Sequence, residues 1–137
     1  MSADLLAHGR HVLQQQAFSR LLGTELDRFE PGLATLSLPL KPEHLQQHGF
    51  VHGGVLSYLA DNALTYAGGS VLGDCVTAEY KLNYLRPARE GAQALVAEAT
   101  VLGHGRAQAV CRCEVFAVQD GERTLCAAAQ GTISKRG

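Results

Sequence analysis

The chain of 137 residues has no tryptophan, only 18% charged residues and no run of one charge sign. Its 12 basic and 13 acidic side chains leave a net charge of −1. Nucleic-acid binding normally needs a basic face that neutralises several phosphates. Nothing here supplies one, so no nucleic-acid partner is expected. No stretch of about 18 apolar residues is present to span a bilayer, and no membrane insertion is expected. Met1–Arg20 carries acidic Asp4 early and lacks a long apolar run, so it does not read as a signal peptide. The four cysteines (Cys75, Cys111, Cys113, Cys126) include no C-x-x-C pair, which excludes the usual zinc and redox spacings. Cys111 and Cys113, two apart in an alternating segment, should face one side as small apolar residues. Buried, reduced cysteines fit a reducing compartment, and the expected location is the cytoplasm.

What the chain does have is 46% hydrophobic residues, enough for a core at this length without staples. It reads as one domain over residues 1–137, with an N-terminal helix up to about 22 and a core over 33–134. Leu5, Leu6, Val12, Leu13, Phe18 and Leu21 have helical spacing, with Gly23 as the stop. Thr24–Phe29 predicts a short strand, and Leu33, Leu36 and Leu38 a second one ended by Pro39. After a loop rich in Gln, His and Gly, a helix is predicted over about 54–68. Its apolar residues cover most of the circumference, as in a buried helix, and Gly68-Gly69 is taken as its end.

The rest alternates with period two, in runs led by Tyr80/Leu82, Leu95/Ala97/Ala99, Ala109/Cys111/Cys113 and Ala127/Ala129/Ile133. Turns at Gly91, Gly103–Gly105 and Asp120-Gly121 predict an antiparallel meander of these four strands. The fold class is α+β, a curved antiparallel sheet wrapped around a central helix. Alanines on the inner phase, among them Ala97, Ala107, Ala109, Ala127 and Ala129, leave room for the helix to lie close.

Chemistry concentrates in Gln46-Gln47-His48-Gly49-Phe50-Val51-His52-Gly53-Gly54 and the helix behind it. Gly53 and Gly54 put bare backbone N–H groups at a helix start, where an anion or oxyanion could be held. Asp61 sits in the middle of an otherwise apolar helix, where an ionised carboxylate costs several kcal/mol unless paired or facing a cavity. Bonds to Ser57 and Thr65, four residues either side, would make it structural. Exposure to a pocket at a subunit interface would make it a base or nucleophile. Helix position alone does not choose.

The string His52-Gly53-Gly54-x5-Ala60-Asp61, with Tyr84-x-Arg86-Pro87 downstream, resembles the hotdog-fold thioesterases of the phenylacetate-degradation (PaaI) type. The resemblance runs through about Leu33 to Ser134. It implies hydrolysis of an acyl-coenzyme A by a homodimer whose sheets join edge to edge, with dimers further paired. By that resemblance the Gly53 amide polarises the thioester carbonyl, and Asp61 of the other subunit attacks or activates water. Thr65 would help hold the water, or would simply bond back to its own helix. Gln46 fills a slot that carries Asn or Gln in the family, one methylene longer than Asn. Asp61 is one methylene shorter than the Glu of some relatives. The absence of tryptophan and the many alanines favour a pocket open enough for an alkyl or aryl chain.

Other residues keep two readings. His44, His48 and His52 are spaced four apart, but glycines and Pro42 break the helix that would align them as metal ligands, so neither metal nor cofactor is expected. His52 is read first as a residue that orients the loop, and second as a base. Gln47 and His48 either line the pocket or are solvated. Arg86, Arg89 and Arg106 either meet the coenzyme A phosphates or are solvated strand-end charges. Two rival functions stay open: a hydroxyacyl-thioester dehydratase using His52 with Asp61, and a non-catalytic acyl-thioester binding module.

Overall fold

In the computed structural model, which describes residues 2–137, the N-terminal segment is two helices rather than one. Met1, the first residue of the expected helical stretch, lies outside the described residues. α1 (Ser2–Gln15) and α2 (Ala17–Leu22) are separated at Gln16, whose ψ of 103° is extended. The break has a local cause. The Gln16 side-chain oxygen accepts from Ser19 Oγ at 2.7 Å and from Asn62 Nδ2 at 3.2 Å, turning this residue inward. α1 is held down by Tyr66, whose hydroxyl donates to the Gly9 carbonyl at 2.8 Å, and by Arg10 Nε, which donates to the Leu26 carbonyl.

Two strands follow, β1 (Glu25–Glu30) and β2 (Leu33–Pro39), and then a 3-10 turn at Pro42–His44. The central helix α3 runs from Gly53 to Leu72, four residues beyond the predicted end. Gly68-Gly69 therefore does not stop it. A Cβ on Gly68 would stand 2.7 Å from Ile133 Cβ, so the glycine is there to let the helix touch the sheet. The helix ends instead at Gly73, whose φ of +84° suits a residue without Cβ.

The remaining strands are β3 (Cys75–Tyr84), β4 (Ala94–His104), β5 (Gln108–Gln119) and β6 (Glu122–Lys135). The six form one antiparallel sheet in the order β1-β2-β4-β5-β6-β3. β4-β5-β6 is the expected meander, but β3 pairs with β6 and not with β4. Gly91 thus belongs to a long crossover between the two halves of the sheet and not to a hairpin. β3 is left as an edge strand.

Alternation on β4, β5 and β6 holds: Leu95, Ala97, Ala99, Ala109, Cys111, Cys113, Val115, Ala127, Ala129 and Ile133 are buried against α3. Ala107 is an exception, exposed in the β4–β5 turn. β3 departs from simple alternation through a register shift between Thr77 and Glu79. One extra residue flips the phase, so Cys75 and Thr77 share the inner side with Tyr80 and Leu82, while Ala78 is exposed. No helix is long and apolar enough to cross a membrane among the described residues.

Candidate active site

Helix α3 starts beneath a glycine loop, and its first turn sorts the two glycine amides. His52 is the N-cap, and its Nδ1 accepts from the Gly54 N–H at 2.8 Å. That bond satisfies one of the orphan donors of a helix start. It also takes the Gly54 amide out of consideration as a ligand donor, contrary to the sequence expectation for Gly54. The Gly53 N–H, by contrast, makes no hydrogen bond to another backbone group among the described residues. The Gly53 carbonyl accepts from the Tyr84 hydroxyl at 2.8 Å. A Cβ at 53 would lie 3.1 Å from that hydroxyl oxygen, so a side chain here would press on Tyr84. Sequence reasoning gave Tyr84 a place in a motif but no part in the site.

The loop before the helix is folded upon Gln46. Its backbone N–H donates to the Phe50 carbonyl at 2.8 Å, and its Oε1 accepts from the His48 N–H at 2.6 Å and the Phe50 N–H at 3.3 Å. With the oxygen spent inside the loop, the amide NH₂ is what Gln46 can still offer. Gln46, Gly53, Leu56, Tyr84 and Arg86 border one open cavity of about 270 Å³. Gln47 and His48 do not border it; they contact each other at 3.4 Å on the exposed surface. His44 is buried, with Nδ1 accepting from the Lys41 N–H and Nε2 meeting the Leu22 carbonyl at 3.0 Å. It fastens the loop to the end of α2. Among the described residues no three His, Cys, Asp or Glu side chains gather as metal ligands.

Arg86 and Arg89 both border a neighbouring hollow of about 250 Å³, and Arg89 lies over the Phe50 ring at 5.4 Å from its centroid. Arg106 is not with them. Its turn adjoins the Ser134 end of β6, whereas Tyr84 pairs with Ala127. Seven residues of strand, roughly 23 Å, separate the two places. One chain therefore brings together two of the three arginines considered for the coenzyme A phosphates.

Asp61 lies eight residues beyond Gly53 on α3, about 12 Å along the axis. It is half-buried and bonded differently from the sequence expectation. Ser57 is engaged with the Tyr80 hydroxyl at 2.6 Å, not with Asp61. The partner of the carboxylate is Thr77, whose Oγ1 donates to Oδ1 at 2.6 Å. Thr65 Oγ1 stands 2.8 Å from both the Asp61 carbonyl and Thr77 Oγ1. An ionised carboxylate only accepts, so the Thr77 proton goes to it and the Thr65 proton is shared between the other two oxygens. Among the described residues Oδ2 has no protein partner and no buried side-chain oxygen is left unsatisfied, so Oδ2 is open to solvent. Asp61 borders a surface cavity of about 310 Å³ beneath α2, together with Tyr58, Asn62 and Thr65. Thr77 escaped the sequence reading because the β3 bulge reverses its phase, which alternation alone does not reveal.

A buried helix wrapped by one antiparallel sheet, with a free amide at the helix start and a polar carboxylate two turns on, defines an α+β fold built around a single helix that carries both chemical groups. Residues 48–124 match the family model for the thioesterase superfamily. The chain belongs to that superfamily and is a thioester hydrolase of the PaaI-like group, with the hotdog fold. It is 28% identical to the acyl-coenzyme A thioesterase PaaI of Escherichia coli, over 84% of this chain and 81% of the relative. The solved structure of E. coli PaaI superposes with a TM-score of 0.88, covering 100% of this chain and 97% of that one at 25% identity. A thioesterase family protein from Silicibacter pomeroyi gives 0.87, with 31% identity over 93% and 96% of the two chains.

Proposed function

We propose that the protein hydrolyses an acyl-coenzyme A to the free acid and coenzyme A, in a site shared between two copies of the chain. The observation that carries this reading is the separation of the two chemical groups. The Gly53 amide and Asp61 lie about 12 Å apart on one rigid helix, so no single carbonyl can meet both in one chain. A two-fold partner laid antiparallel along α3 would bring Asp61 of the partner subunit to Gly53 and the reverse.

The free edge of β3 supports such a pairing, because an uncovered edge strand is a template for another strand. Val76, Tyr84 and Leu85 along or beside it are half or more exposed. Pairing of dimers would use the outer face of the sheet, where Leu102 and Val110 stand exposed. The cytoplasm suits four free cysteines.

In the reaction proposed, Asp61 takes a proton from water as the oxygen attacks the thioester carbon. Negative charge then forms on the carbonyl oxygen beside the Gly53 N–H, with the Gln46 NH₂ as a second donor. Collapse breaks the C–S bond, and the proton held by Asp61 passes to the departing thiolate. One preorganised oxyanion donor is worth ~10²–10³ in rate, and a positioned general base ~10²–10⁴. Thr77 fixes the carboxylate, and Thr65 fixes Thr77. Arg86 and Arg89, next to the Gly53 cavity, are suited to the coenzyme A phosphates as exposed cations. A dehydratase pairing of His52 with Asp61 is disfavoured, since His52 Nδ1 is held in the helix cap by the Gly54 N–H.

The test is thiol release from acetyl-, hexanoyl-, decanoyl- and phenylacetyl-coenzyme A, with Asp61→Asn beside the unchanged chain. A fall of about two or more orders of magnitude in a folded variant is expected. Full activity in Asp61→Asn would overturn the role of the carboxylate, and no thiol release from any ester would overturn the substrate class.

A further inference from the structure

The cavity at Asp61 does not end there. A second one, also about 310 Å³, lies between α1 and α3. The two have Gln16, Asn62 and Thr65 in common, so they adjoin along one line of contact. Around Asp61 the wall carries the polar groups of Ser19, Tyr58 and Thr65 beside Ala17 and Phe18. Beyond Gln16 it is largely apolar, with Leu5, Val12, Phe29 and Tyr66, and with Gly9 and Gly69 adding room.

The partition between them is a hydrogen bond: Asn62 Nδ2 donates to Gln16 Oε1 at 3.2 Å. Gln16 is also where the α1–α2 helical path breaks. The same extended residue that separates the helices thus carries the side chain that stands between the two cavities. Asn62 is braced from its other side by Tyr58 and Ser19, each within 3.3 Å of Nδ2.

We infer that the chamber between α1 and α3 receives the distal part of the acyl chain, and that the Gln16–Asn62 pair is the gate that sets which chains enter. The identity of the chain as acyl rests on the thioester reading above; the gate and chamber rest on geometry alone. A chain whose carbonyl sits at Asp61 passes Thr65 and then meets the two amides. A short chain ends before them. A longer one must part a hydrogen bond between two half-buried amides, which keep their bonds to Ser19 and Tyr58, a loss that the methylenes beyond the gate offset. Each methylene buried past it raises kcat/KM by about fourfold on the usual transfer scale. The expected profile is therefore a dip or plateau at intermediate lengths and a rise for chains long enough to fill the chamber.

Two variants and one binding probe test this. Val12→Trp fills the chamber, and the ratio of kcat/KM for decanoyl- over acetyl-coenzyme A should fall at least tenfold. Gln16→Ala removes the gate, and the same ratio should rise several-fold, with intermediate chains gaining most. An unchanged ratio in both folded variants overturns the inference while leaving thioester hydrolysis standing. Occupancy is read without turnover by His8→Trp, since His8 borders the chamber and the chain has no tryptophan of its own. Its emission should shift on titration with decanoate and not with acetate. A shift with decanoate in a protein that releases no thiol would support the chamber and sink the hydrolase reading. No shift, whatever the activity, overturns the chamber.

Discussion

Thr77 Oγ1 donates to Asp61 Oδ1 at 2.6 Å, and this bond ties an edge strand to the middle of the central helix. It exists because a bulge at Ala78 turns Thr77 inward. In the proposed mechanism it holds one carboxylate oxygen so that the other faces water. Thr77→Val keeps the shape and removes the donor. Its kcat should fall roughly ten- to hundredfold, the worth of a hydrogen bond to a charged group, with KM little changed. Thr77→Ser should restore most of it. An equal loss in kcat and in thermal stability, unrelieved by Ser, would mark Thr77 as structural only.

The Gly53 amide is open to deletion without breaking the helix. Proline is tolerated at the first helical position, and His52, at ψ 133°, already has the backbone a residue before proline prefers. Gly53→Pro removes the N–H, while Gly53→Ala keeps it and adds the same Cβ against Tyr84. Thiol release in the proline variant should be ~10²–10³ below that of the alanine variant. Equal rates in the two would remove the amide from the mechanism.

Gly68 should matter for stability rather than chemistry. The nearest atoms to an added Cβ all belong to Ile133, at 2.7–2.9 Å. Gly68→Ala should cost about 1–3 kcal/mol and lower the melting point by roughly 3–10 °C. The penalty should shrink only in part in an Ile133→Ala background, which removes Cγ1 and Cγ2 but keeps the Cβ at 2.7 Å.

The buried thiols predict a pH dependence. Burial pushes Cys111 up to about 11 and Cys113 up to about 12, from an ordinary 9.0. In the folded state these groups keep protons that the unfolded chain loses first. Stability from this source is therefore complete below about pH 9 and declines as pH rises from about 9 toward 11. At pH 8 a thiol reagent should react slowly with both in the native protein, and with all four cysteines after denaturation. Rapid native reaction of Cys111 or Cys113 would contradict their burial.

Much of the architecture was legible. Alternation in β4, β5 and the part of β6 after Cys126 marked the inner face correctly, because one side of each strand packs on α3 and the other faces solvent. The motif at His52-Gly53-Gly54 and Asp61 marked the helix that carries the candidate site. What was not legible depends on contacts distant in sequence. Gly68 reads as a stop until Ile133 is seen against it, and β3 reads as the first strand of a meander until it pairs with β6. Thr77 reads as an outer residue because a one-residue bulge leaves no trace in composition. Gln16 reads as one more helical glutamine, yet its partner is Asn62, 46 residues away.

The shared site is tested most directly by mixing two inactive variants, Asp61→Asn and Gly53→Pro, after co-refolding. In a mixed dimer one site pairs an intact Gly53 amide with an intact Asp61, and the other has neither. Half of the dimers are mixed and each carries one working site, so thiol release should return to about a quarter of the unmixed wild-type rate. Recovery to that level is the result predicted here. Activity that stays at the level of the separate variants would contradict a site built from two chains.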